Sequence, residues 1–151
     1  MQDAAKPLTG TCRCGATAFE ISATPIITAA CHCRGCQKMS SSAYSLTAMV
    51  PAPAFRVTRG EPVKGGIKGP DLDHYFCPDC MSWLFTRITQ MPDIVNVRPT
   101  MLDDPAWSRP FIETMTAEKL DWVELTVARS YEGFPPPEDF GPLMQDFAAG
   151  H

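Results

Sequence analysis

Long apolar runs, excess positive charge and helical periodicity are all scarce in this 151-residue chain. No stretch approaches the roughly 18 consecutive apolar residues that span a bilayer, and the first ten residues show neither the basic nor the apolar part of a signal peptide. We therefore expect a cytoplasmic protein without a membrane partner. The net charge of −4 argues against nucleic acid as a partner, because affinity for a phosphate backbone comes largely from Lys and Arg.

The composition is that of a folded protein. Hydrophobic residues make up 44% of the chain and charged residues 20%, which is too apolar for a disordered segment. The length suits one domain over residues 1–151 with a core of its own. A proline-rich stretch, "FPPPEDFGP", follows residue 133 and predicts an extended C-terminal arm over residues 132–151.

Short segments that alternate apolar and polar residues predict a mainly β fold. The fifteen prolines and ten glycines separate these segments, as expected for small antiparallel sheets joined by turns. The predicted strands are Thr11 to Ser22, Tyr44 to Val50, Ala54 to Arg59, His74 to Phe76, Trp83 to Thr89, Ile94 to Arg98, Phe111 to Thr116 and Trp122 to Ala128.

Little helix is expected. A short turn of helix from Arg34 to Met39 would place Cys33 and Cys36 on one side. A second helix is predicted from Pro142 to Ala149, with proline at its first position.

The seven cysteines are the strongest functional signal. They form three groups: Cys12-x-Cys14, Cys31-x-Cys33-x-x-Cys36 and Cys77-x-x-Cys80. A reducing compartment disfavours structural disulfides, and an odd number cannot pair completely, so metal binding or thiol chemistry is favoured. Local pairs at these spacings can each supply two neighbouring corners of a tetrahedral zinc site.

Spacing alone leaves two groupings open. In the first, the outer pairs form a closed four-thiolate site, and the middle group is a three-ligand site with an open corner. In the second, Cys33 and Cys36 join Cys77 and Cys80 in a zinc ribbon, and the other three are buried as small apolar residues. We favour the first, since it keeps the middle group together and explains seven as four plus three.

Histidines add little to this picture. His32 is a possible fourth ligand of the middle group, but in an extended segment its side chain would point away from those of Cys31 and Cys33. A surface position or a supporting role behind the ligands is favoured for it. No motif surrounds His74 or His151.

Five strings in order carry a family resemblance: "GTCRCGATAFEI", "CHCRGCQKMSSSAY", "GEPVKG", "FCPDCMSWL" and "MLDDP". Together they resemble the glutathione-dependent formaldehyde-activating enzyme family, which also contains centromere protein V. The resemblance runs from about residue 8 to about residue 131, so the remaining residues would form the arm.

The resemblance implies a β-tent fold similar to that of Mss-type zinc proteins, with two Zn²⁺ ions as cofactors. A structural zinc would be held by Cys12, Cys14, Cys77 and Cys80. A second zinc with an open position would be held by Cys31, Cys33 and Cys36, which would also be the catalytic residues. The implied activity is that of a carbon–sulfur lyase, S-(hydroxymethyl)glutathione synthase, whose partners are glutathione or another small thiol and a small aldehyde.

Three positions depart from the family pattern. The family usually has glycine where this chain has Met81, and often where it has Ser41 and Ser42. Glycine at such positions commonly serves a positive φ angle or a close approach. We therefore expect Met81 to affect the local backbone rather than the ligands, and Ser41 to affect substrate fit.

The chemistry follows from the charge of the open site. Three thiolates would leave a zinc site with a net charge of −1, which favours exchange with a thiol over activation of water. The thiolate is the competent nucleophile and would add to an aldehyde beside it. The basic residues that could attract the carboxylates of glutathione are Arg34, Lys38, Arg56, Arg59, Lys64 and Lys68.

Two other functions compete with this one. A non-catalytic zinc module that binds a protein would need the same cysteines but would not respond to glutathione. Thiol redox chemistry at Cys33 and Cys36 would need the βαβ context of thioredoxin-like folds, which the predicted strands do not supply.

Overall fold

The structure, a computed structural model, describes residues 6–67 and 69–150. These residues form eleven strands, two helices and three short 3-10 turns, so the prediction of a mainly β fold with little helix is confirmed. The strands are β1 Leu8–Thr11, β2 Ala18–Ile21, β3 Ile27–Cys31, β4 Ser45–Pro51, β5 Phe55–Arg59, β6 Val63–Gly65, β7 Leu72–Phe76, β8 Trp83–Ile88, β9 Ile94–Val97, β10 Ile112–Thr114 and β11 Arg129–Ser130. The helices are α1 Arg34–Ser40 and α2 Pro137–Gly150, and the 3-10 turns are Ala52–Ala54, Pro99–Met101 and Thr116–Glu118.

The chain divides into two compact units. The first unit comprises the described part of Met1–Pro25 together with Met49–Trp107, and the second comprises Ile26–Ala48 and the described part of Ser108–His151. The single-domain organisation over residues 1–151 stays a prediction. Two residues of the sequence argument, Lys68 and His151, lie outside the described residues.

The first unit is built from antiparallel strands. Strands β1, β2 and β5 pair in that order, and β9, β8, β7 and β6 pair in another run. Their inner faces bury one apolar cluster, whose burial drives the association of the strands. Its fully buried members are Cys12, Phe19, Ile21, Val50, Phe55, Cys77, Leu84, Phe85, Val95, Val97 and Leu102.

The second unit contains parallel strands, although the sequence pattern predicts antiparallel sheets. Strand β10 pairs in parallel with β3 on one side and with β11 on the other. Parallel pairing needs a long connection, and the chain between β3 and β10 supplies one. Helix α2 packs against β3, with Leu143 and Phe147 buried. The sheets are therefore mixed rather than wholly antiparallel.

Most predicted strands are present, but two differ. The predicted strand from Thr11 to Ser22 is interrupted between β1 and β2, because residues 12–17 form the turn that carries two cysteines. The predicted strand from Trp122 to Ala128 is wrong. That segment contains no strand, although Val123 is buried, and only Arg129–Ser130 beyond it pairs.

The predicted C-terminal helix begins too late. Helix α2 starts at Pro137 and contains Pro142, so part of the predicted extended arm is helical. Glu138 and Asp139 lie in its first turn, where negative charge interacts favourably with the helix dipole. The short helix predicted from Arg34 to Met39 is confirmed as α1. Among the described residues, no helix has the length and apolar character needed to cross a membrane.

Candidate metal centres

The seven cysteines form two clusters of sulfur atoms, one in each unit. Within each cluster all sulfurs lie within 4.8 Å of one another. The first cluster contains Cys12, Cys14, Cys77 and Cys80, and the second contains Cys31, Cys33 and Cys36. All seven thiols are free rather than disulfide-bonded. The structure therefore places the cysteines in one cluster of four and one cluster of three. The alternative grouping, a zinc ribbon of Cys33, Cys36, Cys77 and Cys80, is wrong.

The sulfur spacing of the four-cysteine cluster fits a tetrahedral metal. The Sγ atoms of Cys12 and Cys14 are 3.6 Å apart, and those of Cys14 and Cys77 are 3.8 Å apart. Zinc–sulfur bonds of about 2.3 Å place neighbouring sulfurs about 3.8 Å apart in a tetrahedron. Cys12 and Cys77 are buried while Cys14 is exposed, so the cluster lies at the edge of the apolar core.

Two tight turns position these four thiols. Gly15, at a φ of +82°, closes the first turn, in which its N–H donates to the carbonyl of Cys12 at 3.2 Å. In the second turn the N–H of Met81 donates to the carbonyl of Cys77 at 2.9 Å. Met81 has a φ of +59°, a conformation that glycine adopts without strain. Met81 therefore affects the local backbone, as expected, because a residue other than glycine has a positive φ there.

Hydrogen-bond donors approach the sulfurs of this cluster. The N–H of Thr17 donates to the Sγ of Cys12 at 3.3 Å, and the hydroxyl of Ser82 lies 3.2 Å from the Sγ of Cys80. The Ser82 hydroxyl and its backbone N–H lower the pKa of Cys80 to about 5, because both stabilise the thiolate. A thiolate is the form that binds a metal.

The three-cysteine cluster is assembled where a strand leads into a helix. Cys31 ends β3, Cys33 is the N-cap of α1, and Cys36 lies in its first turn. The N–H of Cys36 donates to the Sγ of Cys33 at 3.2 Å, so a sulfur replaces the usual oxygen of the cap. All three side chains are half-buried. No further His, Cys, Asp or Glu of residues 6–67 and 69–150 joins the cluster.

The thiols of Cys31 and Cys36 have pKa shifts of opposite sign. A hydrogen bond from Cys36 lowers the pKa of Cys31 to about 5, and the same contact raises the pKa of Cys36. Thr114, which lies opposite Cys31 in the β3–β10 ladder, contributes a further hydrogen bond that lowers the pKa of Cys31. The contact therefore favours a thiolate at Cys31 that accepts a hydrogen bond from the thiol of Cys36.

His32 is not at the surface and is not a fourth ligand. Its side chain is fully buried, and its Nε2 lies 2.7 Å from the Oε2 of Glu113. Of the two roles expected for it, the surface role is wrong. Its other ring nitrogen, Nδ1, has no partner among the described residues.

Glu113 is a buried carboxylate that no motif in the sequence indicates. Besides His32, it accepts a hydrogen bond from the hydroxyl of Ser130 at 2.7 Å, and its Oε2 lies 3.4 Å from the Nζ of Lys119. Burial tends to raise the pKa of Glu113, but the hydrogen bonds from Ser130 and His32 and the charge of Lys119 outweigh it and hold that pKa below its usual value. We call these four side chains the His32 network.

Gln37 also binds the backbone next to the three-cysteine cluster through its side-chain amide. Its Nε2 donates to the carbonyl of His32 at 2.7 Å and to the carbonyl of Glu118 at 3.0 Å. The carboxylate of Glu118 accepts from the N–H of Arg34 at 3.2 Å. Only the burial of a polar residue on a short helix marks Gln37, and sequence alone does not show that burial.

Five of the six basic residues that were named from the sequence lie within the described residues, and they fall into two groups. In the first unit Arg56 pairs with Glu20, Lys64 with Asp73, and Arg59 donates to a backbone carbonyl. The other two lie on α1. One of them, Arg34, donates to Gln37 and is otherwise exposed. The second is Lys38, which is exposed and has no side-chain partner in the part of the chain that the structure describes.

Comparison with known proteins identifies a similar fold and a family. No curated protein matches the chain. The fold is similar to that of a Rhodobacter sphaeroides protein whose crystal structure was a structural genomics target, with a TM-score of 0.54 and 22% identity. That match covers 63% of this chain and 87% of the other. A family model described as "Glutathione-dependent formaldehyde-activating enzyme" matches residues 7–118, and the chain therefore belongs to that family.

Proposed function

We propose that this protein is a zinc-dependent carbon–sulfur lyase of the S-(hydroxymethyl)glutathione synthase type. It would add the sulfur of glutathione, or of another small thiol, to formaldehyde or another small aldehyde. The observation that carries the proposal is the three-cysteine cluster, in which three sulfurs converge without a fourth protein ligand among the described residues. Membership of the family supports this activity.

We propose zinc as the metal of both clusters. Four cysteines satisfy a tetrahedral zinc completely, which supports a structural role for Cys12, Cys14, Cys77 and Cys80. Cys31, Cys33 and Cys36 supply three ligands, the number that protein side chains supply in catalytic zinc sites. These three would be the catalytic residues.

The chain's own residues would prepare the reaction in two ways. The contacts of Cys36 and Thr114 with Cys31 favour the thiolate form of Cys31. Gln37 and the His32 network hold the backbone between Cys31 and Cys36 in one conformation. Zinc bound there would supply the positive charge that favours the thiolate form of the incoming sulfur.

The reaction itself balances without a redox partner. The substrate thiol loses its proton, and its sulfur forms a bond to the carbonyl carbon of the aldehyde. The π electrons of the carbonyl group move to its oxygen, which takes up a proton to give the hydroxymethyl product. No oxidant or reductant is consumed, so the free thiols of the cluster need not change oxidation state.

We also propose that the protein works in the cytoplasm as one domain. Seven free thiols support a reducing compartment, where such thiols persist. A non-catalytic zinc module that binds another protein is the alternative function. It is favoured by two large exposed side chains of the second unit, Trp122 and Phe134, which are 75% and 70% exposed.

Cobalt substitution distinguishes these functions. Protein loaded with Co²⁺ shows sulfur-to-cobalt charge-transfer bands, and we expect glutathione to change the bands that come from the three-cysteine cluster. The Cys31→Ser variant identifies those bands, and S-methylglutathione, which has no thiol, should leave them unchanged. If saturating glutathione leaves the wild-type spectrum unchanged, the proposed activity is wrong and the binding module is favoured.

A further inference from the structure

Four side chains of the first unit form a hydrogen-bonded network outside both cysteine clusters. His74 on β7 lies directly opposite Thr86 on β8, and its Nδ1 is 2.9 Å from the Thr86 Oγ1. The indole N–H of Trp83 donates to the same oxygen at 3.2 Å, and so does the Nη2 of Arg98 at 3.2 Å. Three nitrogens therefore meet at one hydroxyl group, and we call this arrangement the Thr86 network.

The chemistry of these groups determines where each proton lies. An indole N–H and a guanidinium N–H can only donate, so Trp83 and Arg98 occupy the two lone pairs of the Thr86 oxygen. The single hydroxyl hydrogen of Thr86 is then donated to His74, and the Nδ1 of His74 accepts it. An imidazolium donates from both nitrogens and accepts at neither, so the network requires a neutral His74.

Burial and charge act in the same direction as these hydrogen bonds. Thr86 is 2% exposed, and the guanidinium carbon of Arg98 lies 3.8 Å from the centre of the Trp83 ring. That guanidinium keeps its charge at every pH at which the protein is folded. Burial and the charge of Arg98 lower the pKa of His74 and outweigh the opposite effect of Asp73. A proton on His74 would place a second positive charge at one buried hydroxyl.

The strands on either side of β7 offer no carboxylate to compensate such a proton. Neither β6 nor β8 contains an aspartate or a glutamate. Asp73, the neighbour of His74 on β7, pairs with Lys64 of β6 at 3.2 Å. The charged residue of β8 is Arg87, whose guanidinium carbon lies 5.6 Å from the centre of the Phe85 ring in the apolar cluster. Protonation of His74 is therefore unfavourable in the folded first unit.

We propose that the Thr86 network is a pH-sensitive switch in the β7–β8 hairpin. Protonation of His74 removes the acceptor of the Thr86 hydroxyl and brings two cations together, so the two strands lose a side-chain connection. Strand β7 ends at Phe76 and β8 begins at Trp83, so the turn between them carries Cys77 and Cys80. Mild acid therefore loosens the turn that positions two thiols of the four-cysteine cluster.

Histidine NMR on the zinc-loaded protein tests the protonation state. The signals of His74 are assigned by their loss in His74→Asn, and we expect an unprotonated Nδ1 at neutral pH and a pKa below 6.5. Thr86→Val keeps the shape but loses the hydroxyl and should raise that pKa, whereas Thr86→Ser should keep it low. Thr58→Val, at an exposed threonine of β5, should leave it unchanged. If wild-type His74 carries its proton on Nδ1 or titrates at or above 6.5, the switch is wrong.

Amide hydrogen exchange measures the effect on the hairpin. The N–H of Cys77 donates to the carbonyl of Ser82 at 3.0 Å, so its protection from exchange reports opening of the turn. Because the pKa of His74 is lowered, its contribution to stability is fully present above pH 6.5 and is lost as the pH falls through the folded-state pKa.

His74→Asn is the matched variant for this measurement, because its amide oxygen can accept from Thr86 but does not titrate. Between about pH 7.5 and about pH 5.5 we expect the protection of Cys77 to fall further in wild type than in His74→Asn. Comparison at equal pH cancels the intrinsic pH dependence of exchange and the protonation of the cysteines, which both proteins share. If both proteins lose protection equally, His74 does not control the hairpin and the proposal fails.

Discussion

The two cysteine clusters use the same ligand type, but different structures support them. The four-cysteine cluster contains Cys12 and Cys77, which are themselves part of the apolar core of the first unit. The three-cysteine cluster is supported by a buried carboxylate, a buried imidazole and a buried amide in the second unit. Four cysteines can complete a tetrahedral metal site, and the bound metal can then stabilise the fold by itself. Three cysteines leave one position free, so other residues have to fix the backbone around them.

Removing one sulfur from each cluster should give the largest difference between them. We expect Cys12→Ser to lose the metal of the first unit and to unfold at room temperature. Structural zinc contributes about as much free energy as the whole stability of a small protein, about 5–15 kcal/mol. Circular dichroism and metal content by mass spectrometry check this.

Cys31→Ser is the matched variant in the second cluster. It should bind one zinc instead of two and keep a cooperative unfolding transition, because the His32 network and the core of the first unit remain. Should Cys31→Ser unfold as completely as Cys12→Ser, the second cluster would be structural too, and the distinction between the clusters would fail.

Glu113→Gln tests the polar support of the open cluster. Glutamine keeps the shape of the side chain but loses its charge, so His32, Ser130 and Lys119 lose an anionic partner. We expect a loss of about 2 kcal/mol in the free energy of unfolding, measured by urea denaturation. Glu61→Gln, an exposed site without a side-chain partner among the described residues, should change it very little.

The same variant predicts a dependence on pH. The pKa of Glu113 is lower in the folded protein than its ordinary value of 4.5, so its contribution to stability is fully present above pH 4.5. That contribution disappears as the pH falls through the folded-state pKa. The difference in unfolding free energy between wild type and Glu113→Gln should therefore shrink below pH 4.5. A difference that stays constant from pH 7 to pH 3 would contradict the prediction, because it would show that the ionisation of Glu113 does not contribute to the stability.

The smallest expected effect concerns the second turn of the closed cluster. Met81 has a positive φ and a side chain that is 56% exposed, so its replacement by glycine relieves strain and loses little burial. We expect Met81→Gly to raise the stability by about 0.5 kcal/mol after the added flexibility of glycine is counted. Met91→Gly, at an exposed methionine outside the positive-φ region, should lower it. Urea denaturation of both variants measures the two signs.

The sequence predicted the two clusters of cysteines far better than the residues that surround them. Cysteine spacings are local, and each turn brings its own pair of sulfurs together, so both clusters could be proposed from the sequence with the help of the family resemblance. The pairing of His32 with Glu113 joins residues 81 positions apart and depends on the parallel register of β3 and β10. Nothing local specifies that register.

The alternating segment around Val123 also shows that a local sequence pattern does not determine the structure. Its pattern fits a strand, yet the N–H of Val123 donates to the carbonyl of Leu120 in a turn, and the segment lines a depression that it shares with Ser42 and Tyr44. An alternating pattern indicates which side chains could be buried on one face, but it does not require a strand. Here a turn buries Val123 without any strand pairing.

The cap of α1 connects the stability of this short helix with the three-cysteine cluster. A helix of seven residues is too short to be stable by itself, since isolated helices need about 12–15 residues. Its first turn is closed by the sulfur of Cys33, which is also a candidate metal ligand. A metal bound by Cys33 would therefore be attached to the residue that begins this helix, and we expect metal binding at the three-cysteine cluster to make α1 more stable.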